Sequence, residues 1–465
     1  MERSLRQVMP DVHFSAEATL AAVGQTLAPD RIAAALRAGG LQTRRTRKLP
    51  LNLVILLIVT MGLFAETAIE DVLAKLLQGP TFLRPGGTDL AASKGAISQR
   101  RQQVGVQPLV ALFRMVCQPL ATPQTPGAFL FGLRLMALDG TVEDVADTPA
   151  NAAYFGYAPG PRGHSAFPQV DVLYLCECGT HAICDVGFWP RQGKERTYAR
   201  RLLRSLGPGM LLLADAGLQS FDLCADCLEY QAHFLIRVSG QLTLRPRRRL
   251  PDGSYLAELR ATRASRRPTG TRLEVRVIEY VLDDPGRPGQ GQRRRLITSL
   301  LDSAAYPAHA LACGYHERWE MEITIDEVDT HQRPPRQPLR SHTPVGVLQE
   351  LYGLVLAHYA IRAVMQAAAQ QIGCDPDRLS FTKTLRLLRN ALFEAQIVSL
   401  TQFDAWYQDL LGRISQHQLP ARDNRCNPRV IRRKMSKFKL KRDEHRSPPH
   451  PTKSFAAAVV IRAPA

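Results

Sequence analysis

A mixed α/β protein is the fold class this chain predicts, and three observations carry the prediction. Short apolar runs lead into isolated acids at Asp139 and Asp215. Helical patterning fills residues 1–125 and returns after residue 306, with strand-like stretches between. An arginine-rich, β-patterned stretch over 233–305 interrupts the strand-and-helix core. Strands followed by helices, with acids at strand ends, describe a layered sheet whose site lies along one edge.

Each element follows from its residues in turn. Asp30 is expected to cap a helix over Arg31–Arg37. The apolar run Leu53–Phe64 is shorter than the ~20 residues a bilayer crossing needs, so it reads as a buried helix beside the basic run Arg44-Arg45-Thr46-Arg47-Lys48. Pro85-Gly86-Gly87 breaks the pattern, and Ser93–Gln102 then starts a polar helix with Ser, Gln and Arg turned outward. Lys94 and Arg100 on it suit a recognition helix in a helix-turn-helix unit; a merely solvated helix face fits equally well.

Pro123–Gly127 reads as a linker. Phe129–Leu138 reads as a strand ending in a turn at Asp139-Gly140, and Asp144 and Asp147 are alternative turn acids. Val170–Leu175 and Ala182–Phe188 form two strands joined by Cys178-Gly179-Thr180-His181. Thr197–Leu206 is a basic amphipathic helix, and Met210–Ala214 a short strand ending at Asp215. In the insertion, strands at Phe234–Val238, Tyr255–Leu259 and Leu273–Leu282 alternate with Arg245–Arg249, Arg263–Arg267 and Arg293–Arg295. Ala308–Thr330 follows as one long helix carrying Glu322, and Val345–Gln371 as a core helix in which His358 is packed.

The chain's 60 Lys and Arg stand against 42 Asp and Glu, a formal charge of +18 that points to a polyanion partner, nucleic acid before acidic lipid. Arg422–Arg446, with Arg432, Arg433 and Lys434, reads as a disordered or partly ordered basic tail followed by prolines. No secretory signal is visible, so a cytoplasmic protein is expected. Nine cysteines do not read as a disulfide framework. Cys176/Cys178 and Cys224/Cys227 allow a four-thiolate zinc site, but the missing knuckle glycines favour buried thiols.

The stretch with the most chemistry is Tyr315-His316-Glu317-Arg318-Trp319-Glu320-Met321-Glu322. Arg318 is three residues after Tyr315 and Glu322 four after Arg318, so a helix would place all three on one face. Phosphodiester cleavage needs charge neutralised on the attacking and leaving oxygens, and divalent ions held by hard oxygen ligands do this. Asp139, Asp215 and Glu322 could supply such ligands, with Mg²⁺ the fitting ion and Mn²⁺ a substitute, two ions being the expected number. Each acid taken alone reads equally as a solvated or capping residue. No HExxH, GxxxxGK[ST] or GxSxG pattern competes.

The ordered residues resemble a family: the bacterial insertion-sequence transposases of the Asp-Asp-Glu class, in the group named after insertion sequence four. The resemblance rests on Asp139-Gly140-Thr141, Asp147-Thr148-Pro149-Ala150-Asn151, Leu211–Gly217 and the Tyr315–Glu322 signature, and spans residues 30 to 440. It implies an RNase H-like catalytic core with a β-rich insertion, preceded by a helical N-terminal domain. The implied organisation is a DNA-binding domain over 1–125, the core in two parts at 126–232 and 306–405 around the insertion at 233–305, and a basic tail over 406–465. Asp139, Asp215 and Glu322 would be catalytic and metal-binding. Tyr315, Arg318, Arg44, Arg45, Lys94, Arg100, Arg248, Arg432, Arg433 and Lys434 would contact double-stranded DNA, both transposon terminal repeats and target. A homodimer would pair the two ends.

The chain departs from the family pattern at three positions. Asp329 stands where the family carries a phosphate-binding Lys, seven residues past Glu322; Ala216 stands in place of Arg, and Leu218 in place of an aromatic residue. A carboxylate at 329 that faced DNA would repel phosphate. That keeps open a copy that binds DNA without cleaving it, and an RNase H-like nuclease of another role is a further alternative.

Overall fold

The computed structural model describes residues 29–41, 49–77, 92–160, 163–191, 195–335, 337–394, 400–420, 430–431, 439–440, 442 and 450–463. Arg44, Arg45, Arg432, Arg433 and Lys434 lie outside them. In chain order the helices and strands that matter below begin with α1 (Pro29–Ala38), α2 (Leu51–Leu63), α3 (Ile69–Leu77), α4 (Lys94–Val104) and α5 (Gln107–Val116). Then come β1 (Phe129–Leu130), β2 (Leu133–Asp144), α6 (Pro149–Phe155), β3 (Gln169–Glu177), β4 (Ile183–Pro190), α7 (Glu195–Leu202) and β5 (Met210–Ala214). α8 (Phe221–Glu229), β6 (His233–Val238), β7 (Arg248–Arg249), β8 (Tyr255–Arg260), β9 (Arg272–Leu282) and β10 (Arg294–Thr298) precede α9 (Ala308–Gly314) and α10 (Trp319–Asp326). α11 (Pro344–Ile372), α12 (Phe381–Glu394), α13 (Leu400–Ser415), the short α14 (Phe455–Ala458) and β11 (Val459–Ile461) complete the set. Among the described residues no helix is long and apolar enough to cross a membrane.

The chain folds as two compact units, the first from residues 1–128, 138–198 and 320–419, the second from 129–137, 199–319 and 420–465. In the first, α2 is buried along nearly its whole length, as its apolar run predicts. It packs on α11 through Gly62 and Gly353, where any Cβ would collide with the facing backbone. Gln332 bridges this seam by donating to Gly62 O (3.0 Å) and Leu354 O (2.9 Å). Arg101 and Gln349 close a second seam: the guanidinium donates to Gln349 Oε1 at 3.0 Å, and the amide donates to Arg101 O and Gly105 O. α4 therefore does not turn all its polar residues outward as its composition predicted. Arg101 faces α11, and Arg100 donates to Leu49 O at 2.8 Å, while Lys94 remains exposed beside Glu70.

β3 and β4 form the expected antiparallel hairpin, from Val170↔Pro190 to Cys176↔Ile183. β3 also neighbours β2. Asp139 is not at a strand end: β2 continues to Asp144, so Asp139-Gly140 is mid-strand and not a turn. Gly140 is there for clearance, since a Cβ would press into Leu173 of β3 and Glu195. The turn that the sequence placed there lies earlier, at Phe131 and Gly132, both with positive φ.

In the second unit β5 pairs in parallel with β6 (Leu211↔His233 to Ala214↔Ile236), and β6 pairs antiparallel with β10. β9 joins β10 to β8, and β8 joins β7. Arg294 and Arg295, placed by the sequence in a basic run alternating with the insertion's strands, lie in strand β10. The sheet also gains β11, from the far end of the chain, on β9 (Tyr280↔Ile461 to Leu282↔Val459). Residues past 450, read as the end of a basic tail over 406–465, therefore include a strand of this sheet. Asp284 accepts hydrogen bonds from the backbone N–H of Thr452 (3.1 Å) and Lys453 (3.3 Å), and Phe455 stacks on His316 with centroids 4.0 Å apart. Burial opposes the Asp284 charge, but those donors hold its carboxyl down to about 2.

Candidate active site

Asp215 follows β5 directly. Its Oδ1 accepts from Gly217 N at 2.8 Å and Leu218 N at 3.1 Å, a tight side-chain turn that fixes the carboxylate at the strand end. The signature stretch reaches the same strand end: Tyr315 Oη donates to Ala214 O at 3.1 Å. Burial raises the Tyr315 phenol well above its ordinary range, with Arg318 pulling the other way and Asp215 adding to the rise. Tyr315–Arg318 is a 3₁₀ turn, in which residues three apart stand in line, so Arg318 lies over Tyr315.

A buried arginine fixes the start of α9, the helix that leads into this turn. Arg276 on β9 donates to Tyr306 O (2.6 Å) and Leu300 O (3.3 Å) and pairs with Asp252. Asp252 Oδ2 in turn accepts from Ala308 N at 2.8 Å, anchoring the first turn of α9. Arg276 was missed in the sequence, where it is one arginine among many in the insertion. Its position within an otherwise apolar run, Val275–Val277, was the available signal.

The predicted continuous helix over Ala308–Thr330 is four pieces: α9, the 3₁₀ turn, α10 and a π-helical turn over Glu327–Gln332. Glu322 is half-buried in the first turn of α10. In the first unit that helix runs beside β2 and β3. Cys176 hydrogen-bonds Thr324 and feels the charge of Asp139, and Thr141 Oγ1 donates to Asp329 Oδ2 at 3.2 Å. Asp139 and Thr141 share one face of β2. Asp139 itself accepts from Gly140 N at 2.9 Å.

Asp329 is therefore not where the sequence comparison put it. It turns toward β2, against Thr141 and Glu143, and Arg333 Nη1 reaches Glu143 Oε2 at 2.6 Å. Burial, with Asp329 beside it, pushes the Glu143 carboxyl up to about 9, and burial raises Asp329 as well, so the pair holds a shared proton.

Two residues earlier, Glu327 has the opposite surroundings. Arg362 donates to it through Nε (2.9 Å) and Nη2, and His358 Nε2 lies 3.0 Å from its Oε2. Burial disfavours its charge, but Arg362 and His181 hold the carboxyl well below the usual range. His358 is a core histidine, as expected, with this carboxylate as its partner.

The Asp147–Asn151 block is structural. Thr148 caps α6 by accepting from Asn151 N (3.2 Å), and the buried Asn151 amide donates to Ala146 O and Ser341 O. Cys176, Cys178, Cys224 and Cys227 are all buried, and none forms a disulfide among the described residues. Burial raises the pKa of Cys176, Cys224 and Cys227. In the insertion, Arg248 is exposed on β7, while Arg247, Arg260 and Arg272 gather on Glu258.

Comparison with known proteins is consistent along the chain. A family described as "Insertion element 4 transposase N-terminal" matches residues 17–114, and one described as "Transposase DDE domain" matches residues 131–360. "Transposase InsG for insertion sequence element IS4" of Escherichia coli (strain K12) is 27% identical over 425 residues, 90% of this chain and 93% of that protein. "Putative transposase InsZ" of the same organism is 28% identical over 182 residues, 39% of this chain and 58% of its own length.

Proposed function

The chain is a transposase of the Asp-Asp-Glu class, in the insertion-sequence-four group, and we propose that Asp139, Asp215 and Glu322 are the carboxylates with which it works. The class implies use of divalent metal ions. The donor set fits: all three offer hard carboxylate oxygens, and Asp215 is held through Oδ1 by two backbone N–H groups, which leaves Oδ2 for a cation. Mg²⁺ is the ion proposed, two per site, with Mn²⁺ able to replace it. When bound, such ions supply charge neutralisation on the attacking and leaving oxygens of the phosphodiester.

In this reading the core is RNase H-like, with residues 233–305 as an insertion. Water opens the phosphodiester at the transposon end and leaves a 3′ hydroxyl, which attacks target DNA. Arg318 positions the end through charge-assisted bonds to phosphate, and Tyr315 holds the 3₁₀ turn against β5 beside Asp215. Lys94 and Arg248, both exposed, add phosphate contacts along the duplex. A homodimer on paired terminal repeats, working at the nucleoid in the cytoplasm, is the proposed assembly.

The observation that carries this reading is the Tyr315–Ala214 hydrogen bond, which ties the signature turn to the strand leading into Asp215. The rival reading, a DNA-binding copy without catalysis, drew its support from Asp329. The packing of Asp329 against Thr141 and Glu143 weakens that support, because a carboxylate held there does not repel phosphate.

The test is Glu322→Gln, assayed on DNA carrying the element's ends with and without Mg²⁺. Nicking falls to background while gel-shift affinity for the ends stays within about twofold, since an uncharged isostere keeps the shape and removes the ligand charge. Undiminished nicking by this variant would take Glu322 out of the mechanism.

A further inference from the structure

We propose that His181, Glu320 and Asp377 form a second cation site, distinct from the proposed catalytic carboxylates, which takes a transition metal ion such as Zn²⁺ or Mn²⁺ and fixes the base of the Glu322 helix. The three residues come from three segments of the first unit: the β3–β4 turn, the first turn of α10, and the 3₁₀ turn Pro376–Arg378. One donor atom from each lies within 4.8 Å of the others. His181 Nε2 is 2.9 Å from Asp377 Oδ1 and 3.9 Å from Glu320 Oε2. Ligands at ~2.0–2.2 Å around an ion stand about 3–3.5 Å from one another, and the two distances bracket that spacing.

The ring is buried and aimed into this space, where the groups facing its Nε2 are carboxylates. The His181 side chain is 2% exposed, and its Nε2 approaches Asp377 Oδ1 as an ion pair without the geometry of a well-formed hydrogen bond. A buried imidazole nitrogen converging with two carboxylates is a donor set that a cation can occupy. The backbone is committed to this aim, since His181 holds a left-handed φ of 57° directly after Thr180, whose hydroxyl donates to the buried Glu177. Glu320 is braced from outside as well, accepting from Gly179 N.

Charge points the same way. Glu320, Glu327 and Asp377 bring three negative charges and Arg362 one positive, a formal excess of two around a neutral imidazole, which a proton on the ring relieves in part and a divalent ion cancels. His181 Nδ1 lies 3.5 Å from Glu327 Oε1, the carboxylate-behind-histidine arrangement that orients metal ligands. The donor set, one nitrogen and two oxygens, suits zinc or manganese better than magnesium. Glu320 and Glu322 are two steps apart, on opposite sides of α10, so an ion here holds the helix from the side away from Glu322.

Arg362 Nη2 also lies against His181 Nδ1. An ion-free network, with the ring proton on Nε2 shared with Asp377, is therefore the competing arrangement, and metal analysis separates the two. The full-length protein is dialysed against metal-depleted buffer containing Mg²⁺ and its content read by plasma mass spectrometry. A single zinc or manganese per chain is expected in the wild type and in Glu322→Gln, and none in His181→Ala or Asp377→Asn. Retention in Glu322→Gln keeps this site separate from the proposed catalytic one, whichever of the two readings fails. Because the variants could misfold, the chelator-stripped wild type is also titrated with Co²⁺. Visible bands of nitrogen and oxygen coordination, without a thiolate charge-transfer band, support the site and exclude the cysteines. A wild type that retains no metal and gives no Co²⁺ spectrum, or variants that retain as much as the wild type, would overturn it.

Discussion

Glu327 and Asp329 stand two residues apart on one π-helical turn, both withdrawn from water, and the two sides of that turn treat a carboxylate in opposite ways. On the side facing α11, Glu327 meets Arg362 and His358 and stays charged. On the side facing β2, Asp329 meets another acid, and the proton stays. The difference shows that burial alone does not set a group's charge: it raises the cost of being charged on both sides, and only one side supplies a cation to meet that cost. The Glu322 helix is thus held at its far end by an ion pair on one side and a shared proton on the other.

The most damaging way to break the comparison is to remove the cation. Arg362→Met leaves Glu327 buried without its main partner, and such a break costs about 3–5 kcal/mol. Urea unfolding at pH 7 should show that loss. Adding Glu327→Gln to the same chain should recover much of it, because the stranded charge is what hurts. A double variant no more stable than Arg362→Met would mean that the arginine acts through packing and not through Glu327.

A smaller effect follows from the other side. The fold keeps Glu143 protonated up to about 9, against an ordinary value of 4.5. Because the folded value is raised, the stability this group contributes is complete below about 4.5 and is lost as pH climbs through about 9. Asp329→Asn removes the neighbouring charge but not the burial, which is the larger cause. The loss of stability between pH 6 and pH 9 should shrink in this variant without vanishing, by about 1 kcal/mol for each ~0.7 unit by which Glu143 falls. Parallel curves for the two proteins would show that Asp329 does not govern Glu143.

How much of this was legible in the sequence depended on range. The hairpin of β3 and β4, the strand before Asp215 and the buried helices α2 and α11 could be read, because each is written in a local pattern of apolar residues. Asp139-Gly140 misled because an Asp-Gly pair is the ordinary mark of a turn, whereas Gly140 serves a neighbour on β3. The break at Tyr315–Arg318 was invisible, since a step of three residues fits an α-helix and a 3₁₀ turn alike. The three acids of the proposed site were picked out by their order, but their surroundings could not be read. Nothing near Asp329 announces Glu143, and nothing near His316 announces Phe455 from the end of the chain.

The smallest predicted effect sharpens the comparison most. Thr141 Oγ1 donates to Asp329 Oδ2 at 3.2 Å, and a donor on that oxygen favours the charged form of Asp329, leaving the shared proton on Glu143. Thr141→Val keeps the branched shape that suits β2 and removes only the hydroxyl. A single hydrogen bond of this kind is worth about 0.5–1.5 kcal/mol, more where its acceptor is charged. The loss should therefore be smaller at low pH, where protonation of Asp329 weakens the acceptor, and larger at pH 9, so that the variant's stability declines more steeply with pH than the wild type's. Unfolding midpoints at the two pH values decide it. An equal loss at both would mean that the hydroxyl only fills space, and that the proton's place on Glu143 is set by burial and Arg333 alone.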